Sequence, residues 1–195
     1  MVPVSYSVAH EYLHHTLAVY KRLEGPRSEA AARQLSAILS RFLARHEACL
    51  AAAAGVAQFD LVTTVPSSDI RRDEHHPLRR VVGELVGPTR GRHERLLIRT
   101  DFPVKPRRFD ARRYESLRLL HGESVLLIDD TWTTGASAQS AAAALNLAGA
   151  GLVAAVVVGR HINRGWHDND RHLEVLPFDW SKCALCAPDR LRRAA

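Results

Sequence analysis

The chain has 195 residues, 46% apolar and 25% charged, so it is long enough to bury one core and is not a disordered polyelectrolyte. Lys and Arg number 27 against 21 Asp and Glu, a formal charge of +6 that suits a polyanionic partner, phosphorylated small molecule or nucleic acid. Three cysteines, an odd number, argue against a secreted disulfide scaffold and suit a reducing cytoplasm.

Met1 to Tyr20 lacks the basic start and apolar block of a secretory signal. Apolar residues at helical spacing predict helices over Ser7 to Leu23 and Ser28 to Ala54, separated at Gly25-Pro26. Phe59 to Val65 is a short β-rich run that ends at Pro66-Ser67-Ser68-Asp69. Pro77 to Val86 reads as a helix and Arg95 to Ile98 as a strand, while Phe102 to Arg113, basic and carrying Pro103 and Pro106, is more loop than element. Ser124 to Ile128 is an apolar strand, Ser137 to Leu147 a helix and Leu152 to Val158 a strand. The uncharged stretch Ala141 to Gly159 approaches membrane-spanning length. It is rich in Ala and Gly and breaks at Gly149-Ala150-Gly151, so it reads as a helix and a buried strand, and no membrane partner is expected. Strands alternating with helices predict an α/β fold with a mostly parallel sheet covered on both faces. The expected organisation is one domain: N-terminal helices over 1–55, a core over 56–160, and an irregular C-terminal flap over 161–195 packed over one end of the sheet.

The run Val125-Leu126-Leu127-Ile128-Asp129-Asp130-Thr131-Trp132-Thr133-Thr134-Gly135-Ala136-Ser137 carries the chemistry. An apolar strand ends in two carboxylates, a hydroxyl-rich loop follows, and then a helix begins. Parallel sheets bind ligands at the carboxyl edge, and a loop of N–H groups leading into a helix N-terminus holds phosphate. Gly135 permits close backbone approach or positive φ. The plain alternative is a strand end at Asp129-Asp130 and a helix cap at Ser137. There is no Gly-x-x-x-x-Gly-Lys-Ser/Thr loop. Gly149-Ala150-Gly151-Leu152-Val153-Ala154 lies between a helix and a strand, the reverse of the order a dinucleotide fingerprint needs.

The run resembles the signature by which type I phosphoribosyltransferases bind 5-phosphoribosyl 1-diphosphate (PRPP). Val19-Tyr20-Lys21 with the Ala-rich helix after it, and Asp60-Leu61-Val62-Thr63-Thr64-Val65-Pro66, are similar to segments of the ComF branch. That family's Arg-Gly-Phe-Asn-Gln stretch is here Arg71-Arg72-Asp73-Glu74-His75-His76-Pro77, and its four-cysteine zinc element has no counterpart in this sequence. The resemblance implies the phosphoribosyltransferase fold and transfer of a 5-phosphoribosyl group from PRPP to an acceptor, with loss of diphosphate. It also implies Asp129 and Asp130 on the ribose hydroxyls and, indirectly, on Mg²⁺. Thr131, Trp132, Thr133, Thr134, Gly135, Ala136 and Ser137 would surround the 5-phosphate. Ser67, Ser68 and Asp69 would form the diphosphate loop, with Arg71 and Arg72 adding charge; a surface turn with a solvated basic pair is the alternative.

Lys105, Arg107, Arg108, Arg112 and Arg113 resemble the flap that closes over such reaction centres, with Lys105 and Arg112 as ligand contacts, although a basic run is also what a solvated face looks like. By the same resemblance, Thr133 stands where purine salvage enzymes of one branch carry Asp, which argues against hypoxanthine or guanine as acceptor. The rival function is a PRPP-binding regulator without catalysis, or a ComF-like DNA-uptake accessory. The expected partners are PRPP, a small-molecule acceptor and a second copy of the chain as a homodimer, with nucleic acid weak or absent. In the tail, His167, His172, Cys183 and Cys186 offer four ligands to Zn²⁺, against the alternative that the cysteines pack as small apolar residues.

Overall fold

In the computed structural model, residues 1–21, 25–67, 73–166, 169 and 178–186 are described. Four parallel strands form the main sheet, in the order β1-β6-β5-β2. They are β1 (Val2–Val8), β2 (Leu61–Thr64), β5 (Ser124–Trp132) and β6 (Leu152–Ile162). A separate antiparallel ribbon joins β3 (Leu97–Arg99) to β4 (Tyr114–Ser116). The helices are α1 (Tyr12–Val19), α2 (Pro26–Ala54), α3 (Pro77–Arg80, running on into one π-type turn over Val81–Leu85), α4 (Gly87–Arg90) and α5 (Ala136–Leu147). The α/β reading with a mostly parallel sheet between helices therefore holds. Among the described residues no helix is long and apolar enough to cross a membrane.

The sheet is built around β5, whose residues Val125, Leu126, Leu127 and Ile128 are fully buried. Side chains alternate across a strand. Leu126 and Ile128 join α2, α3, β1 and β6 in one core cluster, while Val125 and Leu127 join α5 and the β3–β4 ribbon in the other. Both faces of β5 are thus covered, which is why it reads as continuous apolar sequence. Helix α2 presents Leu35, Leu39, Phe42, Leu43, His46 and Leu50 to the first cluster, spaced at three and four residues. Pro26 opens α2, and Gly55 closes it in the left-handed conformation at φ 77°.

Three expectations change. The segment read as helical from Ser7 begins as a strand, β1, paired in parallel with β6 from Val2↔Val156 to Val8↔Ile162. Val2, Val4 and Val8 alternate with Pro3, Ser5 and Ser7, and an edge strand tolerates the proline. Strand β5 does not stop at Ile128 but runs through Asp129, Asp130, Thr131 and Trp132, which pair alongside β6 as far as Trp132↔Arg160. The described tail, 178–186, lies against α2: Trp180 stacks under Arg41 at 4.5 Å and its carbonyl oxygen meets His46 Nε2 at 3.0 Å.

Gly149-Ala150-Gly151 is the turn between α5 and β6. A Cβ at Gly149 or Gly151 would strike the backbone carbonyls of Leu120 or Gly122. Close packing against the 120–122 turn therefore accounts for these glycines. Since Leu126 is fully buried in the central strand, Leu126→Ala is expected to cost about 2–5 kcal/mol. Urea unfolding measures this, and a loss near zero would contradict the central position of β5.

Candidate functional site

Strand β2 ends at Thr64, opposite Ile128, so Asp129 to Trp132 extend beyond it at the carboxyl edge of the sheet. Asp130 continues the side of the strand that carries Leu126 and Ile128. Its carboxylate is 9% exposed and accepts from the Tyr20 hydroxyl, and Lys21 Nζ lies 3.1 Å away on the other oxygen. Burial, and next the Asp130 charge, hold the Tyr20 hydroxyl pKa well above its usual value. Asp129 leaves the strand on the other side. Its Oδ1 accepts from the Asp130 backbone N–H at 2.8 Å. Burial, and then the charge of Asp130, push its carboxyl up to about 7.

Thr133 and Thr134 are exposed, Gly135 takes φ 78°, and α5 starts at Ala136 without a side-chain cap bond. Thr134 Oγ1 accepts weakly from the Ala136 N–H at 3.4 Å. The positive φ that the sequence reading allowed at Gly135 is present, and a Cβ there would also strike the Trp132 ring. Behind the loop, Ser137 bonds Tyr114, whose hydroxyl pKa is raised by burial and by the charge of Asp129, and which also feels Arg99. Arg99 Nη1 is buried without a protein partner, a cation the sequence analysis missed.

The second half of the site follows β2. Asp73, 4% exposed, accepts from the Ser67 N–H at 3.0 Å and from Arg95 at 2.8 Å, and Arg79 lies at 3.2 Å. Two guanidinium groups on one carboxylate leave this corner positive. Ser68, Arg71 and Arg72 lie outside the described residues. A cleft of about 570 Å³ opens here, lined by Tyr20, Glu29, His76, Arg79, Arg80 and His93 among others. Its lining includes none of residues 129–137, so Tyr20 is the wall it shares with the acid pair. Burial lowers the His76 pKa in spite of Asp130 and Asp73, keeping the ring neutral near pH 7, and His76 Nδ1 is buried without a protein partner. His75-His76-Pro77 was legible in sequence only as a departure from a family pattern.

The basic loop turns to itself more than to the acid pair. Arg112 forks onto Asp110 with two bonds of 3.0 Å and stacks on Phe102 at 3.8 Å. Arg113 is buried and donates to the carbonyls of Lys105 and Arg108. Lys105 is exposed. Arg112 thus braces the loop through Asp110 while its side chain stays largely exposed.

Cys183 and Cys186 do converge with other ligand types, but their neighbours are His46 and Cys49 of α2. His167 and His172 lie outside the described residues. The acid pair offers oxygen donors alone, the set hard cations such as Mg²⁺ prefer. Because Tyr20 and Lys21 already engage Asp130, the pair fits Mg²⁺ held mainly through a ligand's own oxygens. Compared with known proteins, the chain matches no family model, no curated protein and no solved structure.

An acid whose pKa is higher folded than unfolded favours the fold most at low pH. That contribution is lost as pH rises from the ordinary value of 3.8 to the folded value of about 7. Asp129→Asn removes the loss. Its melting temperature relative to the unaltered chain should therefore climb between about pH 4 and pH 7 and level off above, and a constant difference would refute the raised Asp129 pKa. At the loop, Gly135→Val should cost about 1–3 kcal/mol in urea unfolding, part of it recovered when Trp132→Ala is added.

Proposed function

We propose that the chain binds PRPP at the carboxyl end of β5 and transfers its 5-phosphoribosyl group to a small-molecule acceptor, within a phosphoribosyltransferase-type fold. The observation that supports this reading best is the succession of β5, a tight loop turned by Gly135, and an uncapped helix start at Ala136, with two carboxylates at the strand end. Such a helix start attracts phosphate through its N–H groups and its dipole. Thr133, Thr134 and Ser137 would add hydroxyl donors, and Arg99 the nearby cation.

The ribose hydroxyls would bond Asp129 and Asp130, replacing the Tyr20 hydroxyl on the latter. Arg79 and Arg95, gathered by Asp73, would face the diphosphate. The acceptor would enter the cleft beside Tyr20 and His76. Its nucleophilic atom bonds to C1 as the bond from C1 to the diphosphate oxygen breaks, and diphosphate leaves with the electron pair. The proton released by the acceptor passes to neutral His76. Mg²⁺ on the diphosphate oxygens would neutralise the charge of the leaving group. The loop from Phe102 to Tyr114 would exclude water, since hydrolysis is the competing outcome.

One observation favours a second reading, a PRPP-binding regulator without catalysis. Tyr20 and Lys21 take up both oxygens of Asp130, so a ribose bound there would displace them and report its arrival to the segment between α1 and α2.

PRPP with Mg²⁺ should raise the melting temperature, with a stabilisation of about 2.7 kcal/mol at a hundred times the Kd. Asp130→Asn should lose most of that shift, and PRPP binding that survives the double change Asp129→Asn, Asp130→Asn would sink the assignment. Diphosphate release across a panel of nucleobases separates the two readings. Transfer requires release that His76→Ala abolishes while the PRPP-induced shift remains, whereas a regulator shows the shift and no release.

A further inference from the structure

Helix α2 and the tail bring together four side chains that the acid-pair site does not use. His46 and Cys49 stand three residues apart and so share one face of α2. Cys183 and Cys186 belong to a turn that packs onto that face. Each residue offers one ligand atom, and the four atoms lie within 4.8 Å of one another. Cys186 Sγ is 3.4 Å from Cys183 Sγ and 3.8 Å from His46 Nδ1, and Cys49 Sγ is 3.9 Å from His46 Nδ1. A tetrahedron of sulfur and nitrogen around zinc, with zinc–sulfur bonds near 2.3 Å, has edges of about 3.8 Å.

We propose that His46 Nδ1 and the sulfurs of Cys49, Cys183 and Cys186 bind one Zn²⁺, which staples the tail to α2. Four protein ligands close the coordination shell, as in structural zinc sites, and leave no position for a substrate. Three sulfurs and one imidazole select a borderline-soft tetrahedral ion over Mg²⁺ or Ca²⁺.

The surroundings are those a zinc ligand set needs. His46 is 4% exposed, and its other ring nitrogen, Nε2, meets the Trp180 carbonyl oxygen at 3.0 Å. A proton on Nε2 donates to that oxygen, which fixes the tautomer that leaves Nδ1 free for metal. The Cys183 N–H donates to Cys186 Sγ at 3.1 Å and the Leu185 N–H to Cys183 Sγ at 3.4 Å, contacts that stabilise thiolates. Trp180 is held by Arg41 above its ring and by Phe178 at its edge, 4.6 Å between centroids, so the tail reaches α2 in a defined orientation.

The rival for the same atoms is a redox pair, Cys183 and Cys186, that carries no metal. The test is metal and thiol analysis of the full chain, untagged and purified under reductant. One equivalent of zinc is expected, with the three thiols slow to react until a chelator removes it. Cys49→Ser and His46→Ala should each lose the bound zinc. Because these variants can fail to fold, the unaltered chain is also loaded with Co²⁺, and the intense visible bands of a tetrahedral, thiolate-rich cobalt site should appear. A reduced chain that takes up no zinc overturns the proposal. So does a weak six-coordinate cobalt spectrum, or zinc uptake that folded Cys49→Ser retains in full.

Discussion

Asp130 is a carboxylate buried at the end of the central strand, and an unpaired charge in that position would cost several kcal/mol. Tyr20 and Lys21 prevent this, one by donating its hydroxyl and the other by its ammonium. That requirement reaches across 110 residues of chain and draws the end of α1 to the carboxyl edge of the sheet. The position of α1 in turn brings the start of α2 beside α3, where Arg80 pairs with Glu29. The cleft between them thus shares the Tyr20 wall with the satisfied charge of Asp130.

Asp73 plays the corresponding part after β2. It collects the Ser67 N–H, Arg79 and Arg95, and so ties the end of β2 to α3 and to the approach to β3. Asp130 and Asp73 differ in their surplus. Asp130 is near neutrality once paired with one lysine, whereas Asp73 carries two guanidinium groups. The carboxyl edge is thus divided into a half suited to hydroxyl groups and a half suited to anions.

The two clusters of donor atoms separate by donor type and by location. Oxygen donors stand at the sheet edge. Sulfur and imidazole donors stand near the end of α2, where the tail packs against it at the margin of the core. Helix α2 spans both, with Glu29 near its start facing the cleft and His46 and Cys49 toward its end facing the tail. A long Ala-rich helix can serve two ends in this way because its central turns are committed to the core.

Elements with a strong local signal were legible in the sequence alone. The apolar run of β5 announced a strand buried on both faces, Gly25-Pro26 marked the start of α2, and the Gly149-Ala150-Gly151 break separated α5 from β6. The hydroxyl-rich loop and its acid pair could be picked out because neighbouring residues in sequence form them. Tertiary structure decided whatever depends on partners far along the chain. Strand β1 has a weak alternating pattern and is a strand only because the edge of β6 pairs with it. Tyr20 and Lys21 stood out only within a family-like segment, Asp73 and His76 only within a departure from a family pattern, and Arg99 not at all; their roles arise from burial and from charges that folding brings close. The cysteine pair in the tail was visible as Cys-x-x-Cys, but its other two ligands were sought among nearby histidines. The side chains that meet it, His46 and Cys49, stand on a helix more than a hundred residues earlier, since helix spacing puts the two on one face and only packing could set the tail against them.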